Sequence, residues 1–161
     1  MYNLGFHSVD SRFSNIRIYP LLIDRVLEGI SVLAFLALWG CAAWLCLQTE
    51  DKNVIKSVLS LAGVGTICQV VLAVGAYVSL RKIKFPFRIT EYNVYKQFFL
   101  AKRLYRALSI LCPIIFILQL FSEEVVRDLA VPGYGTVAHF IGIILFVVPF
   151  LVYYILAFRY R

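Results

Sequence analysis

Four apolar stretches alternate along the chain with segments that hold most of its charged residues. A helix of about 20 apolar residues crosses a hydrocarbon core roughly 30 Å thick and satisfies its backbone hydrogen bonds internally. Strands of a membrane barrel would instead alternate in polarity over about ten residues. The pattern therefore predicts an all-α membrane protein with four transmembrane helices, at about residues 26–47, 58–80, 104–121 and 137–158.

Composition indicates the same class of protein. Hydrophobic residues make up 61% of the 161 positions and charged residues 16%, whereas soluble domains average roughly 45–50% and about 25%. A soluble chain of this length has too much surface for its volume to bury so many apolar side chains. We therefore expect a single integral membrane domain over residues 1–161, and a soluble or disordered protein is excluded.

The distribution of Lys and Arg predicts the orientation of the helices. Of the 16 basic residues, 13 fall in the N-terminal segment, the connection 81–106 and the C-terminal tail, which four spans place on one side. Because basic loops stay in the cytoplasm, we expect a multi-pass protein of the cytoplasmic (inner) membrane with both termini inside. The net charge of +7 then reflects topology, so the expected partner is the lipid bilayer and not nucleic acid.

The basic connection between the second and third spans is predicted to have two parts. Residues 81–89 alternate basic with apolar side chains around Pro86, which is typical of an extended chain. Thr90 can cap a helix that begins at Glu91, and we expect one long helix from there through the third span. Its amphipathic start is expected to lie at the membrane interface. The aromatic and basic side chains of this start either dock a cytoplasmic partner or only fix the topology.

Two stretches of the chain resemble a known group of bacterial membrane proteins. The first is Ile-Arg-Ile-Tyr-Pro at residues 16–20, followed by Asp-Arg-Val-Leu-Glu at 24–28. The second is Phe-Pro-Phe-Arg-Ile-Thr-Glu-Tyr-Asn at residues 85–93, which leads into a basic helix. Over about residues 16–47 and 81–118 the chain is similar to small membrane proteins carrying the domain of unknown function numbered 1648. That domain also occurs in immunity proteins against sporulation-delaying toxin, so the resemblance implies a membrane protein of the immunity type and no specific chemistry.

The chain departs from this family between the first two spans. The family has a loop of the type Pro-x-His-Phe-Asn there, followed by Gly, Asp and Gly-Ser-Lys. This chain has only Gln-Thr-Glu-Asp-Lys-Asn-Val-Ile-Lys-Ser, at residues 48–57. Recognition by that characteristic loop is therefore not expected of this protein.

Charged residues at the edges of the first and third spans are candidates for a structural pair. Glu28 lies just inside the start of the first span, and Arg106 lies at a similar depth in the third. An unpaired charge at that depth costs free energy, so we expect Glu28 to pair with Arg106, or else with Arg103 or Lys102, and to join the two helices. The alternatives are that each side chain reaches the headgroups alone, or that Glu28 pairs with Arg25 one helical turn away.

Two further polar residues are interaction candidates within the spans. Gln69 lies at mid-depth of the second span, where its amide either lines a pathway or forms an interhelical hydrogen bond worth about 1 kcal/mol. His139 is predicted to lie two residues into the fourth span, near the outer interface. There it either titrates in a functional role or binds only water and headgroups.

The residue types that catalysis requires do not come together in the sequence. It has no paired carboxylate inside a span, no Gly-rich phosphate loop and no metal-ligand spacing among its four Cys residues. No catalytic, cofactor-binding or metal site is therefore predicted, and we expect a non-enzymatic protein that contacts another membrane protein or a peptide. The main alternative is a small transporter or permeability component, which a buried polar cavity crossing the bundle would favour; a membrane-embedded enzyme ranks third.

Overall fold

The computed structural model describes residues 20–78, 85–86, 88–122 and 133–160. The rest of the N-terminal segment, most of the connection expected to be extended, and most of the loop between the third and fourth spans lie outside the described residues.

Four long helices make up most of the described chain. They are α1 Leu22–Gln48, α2 Lys52–Gly75, α3 Val94–Leu120 and α4 Tyr134–Arg159. Each contains 24 to 27 residues, which corresponds to roughly 36–40 Å. All four are long and apolar enough to cross a membrane. The predicted all-α class with four membrane-spanning helices is confirmed, and the architecture is that of a multi-pass membrane protein.

The bounds of α2 differ from the predicted second span at both ends. The helix begins at Lys52 rather than residue 58, because the Asp51 carboxylate caps it by accepting a backbone N–H of the first turn at 2.8 Å. It ends at Gly75 rather than residue 80, since the backbone tightens there into short turns. With 24 residues, α2 is long enough to cross the membrane although it ends before the predicted boundary at residue 80.

α3 begins at Val94 rather than Glu91, and Thr90 does not cap it. Instead, Asn93 Oδ1 accepts the backbone N–H of Thr90 at 2.8 Å, and its Nδ2 donates to the carbonyl of Arg88 at 3.1 Å. These two bonds hold the intervening residues in a turn. From Val94 a single helix then runs through the predicted third span.

α4 begins earlier than predicted. The predicted fourth span begins at about residue 137, whereas residues 134–136 are already helical. Gly133 precedes them with φ of 80°, a left-handed conformation that glycine adopts without steric cost. His139 therefore lies in the second turn of α4.

α3 lies at the centre of the bundle. α1, α2 and α4 all pack against it, and α1 also packs against α2. The start of α3 meets the end of α4 in a buried cluster that includes Phe98 and Ala157. The other end of α3 contributes Leu120 to a second cluster, with Leu38 of α1 and Val58 of α2. Consecutive helices therefore run antiparallel.

Glycines let α2 approach α3 closely. A Cβ built at Gly65 would lie 2.8 Å from Cγ of Phe116, and one at Gly75 would lie 2.7 Å from Cδ1 of Tyr105. A Cβ at Gly142 of α4 would contact α3 at 3.4 Å. At the first two positions any side chain would force Phe116 or Tyr105 of α3 to shift, whereas the contact at Gly142 is an ordinary one.

Candidate functional site

Four charged side chains of α1 and α3 meet at the end of the bundle where α1 begins. We call Asp24, Glu28, Arg103 and Arg106 the charge cluster. Arg106 Nε donates to Glu28 Oε1 at 3.1 Å, and its Nη2 lies 3.0 Å from the same oxygen. Its Nη1 lies 3.2 Å from Asp24 Oδ1. Arg106 therefore binds both carboxylates, with only 7% of its own side chain exposed.

Asp24 is the most enclosed member of the charge cluster. Its side chain is 1% exposed, and its Oδ2 accepts the backbone N–H of Leu21 at 2.8 Å, which is the reach-back contact of a capping box. Arg103 Nε lies 3.7 Å from Asp24 Oδ1, and its guanidinium lies over the ring of Phe99 at 4.0 Å. Two carboxylates thus face two guanidinium groups, and the charge cluster is close to neutral.

The charge cluster contains the pair that the sequence predicts, Glu28 with Arg106. Arg25, the alternative partner of Glu28, is exposed. Sequence reasoning missed Asp24 as a second acceptor for Arg106. A signal was present, because Asp24 and Glu28 are four residues apart and so lie on the same face of α1.

Tyr77, two residues beyond the end of α2, extends the charge cluster to a third helix. A side-chain hydrogen bond to the Glu28 carboxylate raises the pKa of the Tyr77 hydroxyl, with burial as a smaller cause, because ionisation would place a phenolate beside a carboxylate. α1, α3 and the end of α2 are therefore joined at one end of the bundle.

A second polar group connects α1, α2 and α3 deeper in the bundle. Gln69 Nε2 donates to the Ser31 carbonyl at 2.7 Å and lies 3.1 Å from its hydroxyl. The Ser31 hydroxyl lies 3.2 Å from that of Ser109, which donates to the Arg106 carbonyl at 2.8 Å. Gln69 thus forms the interhelical hydrogen bonds that were one of its two predicted roles.

Gln97 is a buried polar residue that sequence reasoning missed. Its Nε2 donates to the carbonyl of Ala157 near the end of α4, at 2.8 Å. The last carbonyls of a helix have no intrahelical donor, so this bond satisfies one of them and fixes the start of α3 against the end of α4. The available signal was an amide with apolar residues close by on the same helix.

A cavity opens sideways between α2 and α4, with α3 as its floor. Its volume is about 560 Å³, and we call it the lateral cavity. It is lined by Cys68, Val71 and Leu72 of α2, by Leu108, Cys112, Ile115, Phe116 and Gln119 of α3, and by His139, Gly142, Ile143, Phe146 and Val147 of α4. The lining is almost entirely apolar, and the opening faces the surroundings of the bundle rather than crossing it.

Gln119 and His139 form a polar end to the lateral cavity. His139 Nδ1 lies 2.6 Å from the Gly135 carbonyl. Because a carbonyl only accepts, Nδ1 carries the hydrogen and Nε2 remains for another partner. The Gln119 amide makes no hydrogen bond within the described residues, and its Nε2 lies beside Gly142 of α4.

The five predicted interaction candidates occupy three separate places. Glu28, Arg103 and Arg106 come together in the charge cluster, Gln69 lies deeper between α1, α2 and α3, and His139 lies at the far end of the bundle. Among the described residues, no group of three or more His, Cys, Asp or Glu side chains is placed to hold a metal ion.

No protein-family model, curated protein or solved structure matches the chain. The resemblance over residues 16–47 and 81–118 therefore stays a prediction.

Proposed function

We propose that the protein is a non-enzymatic, four-span protein of the cytoplasmic membrane, with both termini inside, that acts by contact with another membrane protein or a peptide. This mode of action is the one expected of the immunity-type proteins that the sequence resembles. The observation that carries the proposal is the exposure of α4, which packs mainly on α3 and is the least buried of the four spans.

One face of α4 has the spacing of a helix-packing surface. We call this face the α4 stripe: Val137, Ile141, Ile144, Val148, Leu151 and Ile155, all of which are exposed. Its members are alternately four and three residues apart, which is the heptad spacing of knobs-into-holes packing. Helices in a bilayer associate through van der Waals packing, and β-branched side chains lose little rotamer freedom when they pack. A partner helix is the occupant that this spacing fits.

The interior of the bundle supports partner contact over transport. The buried charges of α1 and α3 bind one another, and the Gln69 amide donates to Ser31. The lateral cavity is apolar and opens sideways. A transported polar solute would need donors and acceptors along a crossing path, whereas the charged groups and the Gln69 N–H donor bind other groups of the bundle.

Photocrosslinking from the α4 stripe tests the proposal. Benzoylphenylalanine is introduced at Val148, which is 46% exposed, and as a matched control at Val70 of α2, which is 52% exposed. After irradiation of whole cells and mild detergent extraction, position 148 should yield one discrete protein adduct, and mass spectrometry identifies the partner. Position 70 should yield lipid adducts.

The crosslink must depend on the shape of the α4 stripe. Replacing both Ile141 and Ile144 by Ala should reduce the adduct from position 148, because it removes the neighbouring knobs. A second copy of the chain as partner would give an adduct of twice the chain's mass. Lipid adducts alone from both positions, or an adduct that the double Ala variant leaves unchanged, would contradict the proposal.

Cys68, which lines the lateral cavity, distinguishes partner contact from the transporter alternative. In a variant that keeps Cys68 as its single cysteine, a membrane-impermeant maleimide should leave the thiol unlabelled in intact cells, because the cavity opens to lipid. A membrane-permeant maleimide serves as the positive control. Rapid labelling by the impermeant reagent would reveal a water-filled path and favour transport.

A further inference from the structure

We infer that the lateral cavity binds a single-chain amphiphile with a carboxyl head, a long-chain fatty acid, which enters from the bilayer. The apolar chain lies along α3, and the head meets Gln119 and His139. This site is distinct from the α4 stripe, because Ile143 and Phe146 of the cavity lie on another flank of α4. The inference therefore goes beyond the proposed contact with a protein partner.

The size of the lateral cavity fits one extended chain. Its volume of about 560 Å³ falls within the roughly 300–1,000 Å³ of small-molecule pockets. Its floor from Leu108 to Gln119 is roughly 16 Å long at about 1.5 Å per residue, which is close to the ~15 Å of one hydrocarbon leaflet. The cavity therefore has the length and the volume for one acyl chain.

The chemistry of the walls is that of an amphiphile site. Cys68, Leu108 and Phe146 are representative of a lining that offers dispersion contacts and almost no hydrogen bonds. Small-molecule sites are typically apolar, with a few polar groups that fix the orientation of the ligand. Here Gln119 and His139 supply those groups at one end only, so a ligand with one polar end is oriented along the cavity.

The polar end is suited to a carboxyl group. The Gln119 amide offers N–H donors and has no hydrogen-bond partner within the described residues. His139 Nδ1 is engaged by the Gly135 carbonyl. Its Nε2 can therefore form one hydrogen bond with the carboxyl head, as acceptor to a carboxylic acid or as donor to a carboxylate. The N-terminus of α4 lies at the same end and favours negative charge nearby.

Gly142 keeps this polar end open. A Cβ there would lie 3.6 Å from Nε2 of Gln119 and 3.4 Å from Cγ2 of Ile115. A longer side chain would occupy the space beside the amide that the head of the ligand needs.

Photolabelling with a fatty acid tests the inference. The full chain is reconstituted in phosphatidylcholine nanodiscs with a palmitic acid analogue that carries a diazirine near its chain end and an alkyne tag. With the head at Gln119 and His139, the diazirine reaches the deep end of the cavity. Adducts mapped by mass spectrometry should therefore concentrate on α3 between Leu108 and Cys112, and excess unlabelled palmitate should compete them away.

Two neighbouring isoleucines of α4 provide a matched pair of variants. Ile143 lines the lateral cavity and is 60% exposed, whereas Ile144 lies on the α4 stripe and is 57% exposed. I143W should cause a loss of the α3 labelling, because its indole ring would fill part of the cavity that the acyl chain occupies. I144W should leave the labelling unchanged, and helicity by circular dichroism checks that both variants fold.

The head is tested separately from the chain. The methyl ester of the probe should label α3 less than the acid does, and this difference should disappear in the Q119L/H139F variant. A phosphatidylcholine analogue with the same diazirine chain should label α3 weakly, because a second chain would remain outside the cavity. Equal labelling by acid, ester and phosphatidylcholine analogue would overturn the inference and identify the cavity as an ordinary lipid contact. Equal α3 labelling in I143W and I144W would overturn it as well.

Discussion

Arg106 is the side chain on which the charge cluster depends. It is nearly buried, and it contacts the carboxylates of Asp24 and Glu28 at the same time. Two carboxylates without their guanidinium would repel each other in a poorly solvated environment, and removing one partner of a buried pair leaves an uncompensated charge. The cluster therefore stabilises the contact between α1 and α3 through all three charges together.

The two carboxylates of the charge cluster should contribute unequally to stability. Asp24 is 1% exposed and Glu28 is 35% exposed. We expect Asp24→Asn to lower the free energy of unfolding by about 3 kcal/mol, as for a broken buried pair, and Glu28→Gln to lower it by about 1 kcal/mol or less, as for a partly solvated pair. Thermal unfolding of the purified protein in detergent measures both, with Arg25→Gln on the exposed face of α1 as a control. A larger loss for Glu28→Gln than for Asp24→Asn would contradict this ranking.

Gln69 of α2 and Gln119 of α3 should also contribute unequally to stability. Gln69 donates to the Ser31 carbonyl at 2.7 Å, so Gln69→Met should cost about 1 kcal/mol of unfolding free energy. The side-chain amide of Gln119 has no hydrogen-bond partner within the described residues, and Gln119→Met should change stability by less than about 0.5 kcal/mol. The same thermal assay compares the two variants. Equal losses would show that the interhelical hydrogen bond of Gln69 makes no net contribution to the free energy of unfolding.

At this scale the sequence predicts pairs better than networks. Glu28 and Arg106 are predictable as a pair because both lie just inside apolar runs at a similar depth, where a lone charge is costly. Asp24 is not, because it lies before the apolar run and reads as part of a solvated segment. Its burial follows only from the position of α3 beside the first turn of α1.

Exchanging Glu28 and Arg106 would place a carboxylate at position 106 against Asp24. Such an exchange should therefore restore little of the stability lost in either single variant.

At the scale of the helices, polarity determines which element is central. α3 carries the buried polar side chains Gln97, Arg106 and Ser109, and these need partners from neighbouring helices. α4 is almost free of polar side chains in its middle and remains at the edge, facing lipid. The order of packing therefore follows from a difference that is visible in the sequence, although the particular contacts are not.

Two glycines of α2 provide a test of close packing. A Cβ at Gly65 would lie 2.8 Å from Cγ of Phe116, whereas one at Gly63 would meet nothing within 4 Å. We expect Gly65→Ala to destabilise the protein by about 1–3 kcal/mol, as overpacking does. Gly63→Ala should stabilise it by up to about 1 kcal/mol, because alanine loses less backbone entropy in a helix. Thermal unfolding and the helix content of both variants test this expectation. A destabilising Gly63→Ala would show that this face of α2 is in contact with another group and is not open.

Helix ends are less predictable than helix number, for a physical reason. An apolar run reports the part of a helix that lies in hydrocarbon, whereas the helix itself continues into the interface until a cap or turn stops it. Asp51 and Asn93 fix the starts of α2 and α3 through side-chain bonds to the backbone. Charged residues such as Lys52 and Lys56 lie inside α2, although they interrupt the apolar pattern.

At the scale of the whole molecule, the antiparallel arrangement places the basic residues of several segments at one end of the bundle. The start of α1 meets α3 through Asp24 and Arg106, and the start of α3 meets the end of α4 through Gln97 and Ala157. Basic residues carried by these ends, including Arg103, therefore share one side of the bundle. The four-span pattern makes this arrangement predictable, because an even number of crossings returns the chain to the side from which it started.

This gathering of charge leads to a prediction about orientation. The connection 81–106 alone contains eight Lys and Arg residues, and basic segments next to a span resist transfer across the membrane. A green fluorescent protein fused after Arg161 should therefore fluoresce, and alkaline phosphatase fused there should be inactive, because that enzyme requires export. Fusions after Glu50, between α1 and α2, should give the opposite result. Active phosphatase at residue 161 together with fluorescence at residue 50 would reverse the orientation, and the same result at both positions would contradict the four-span arrangement itself.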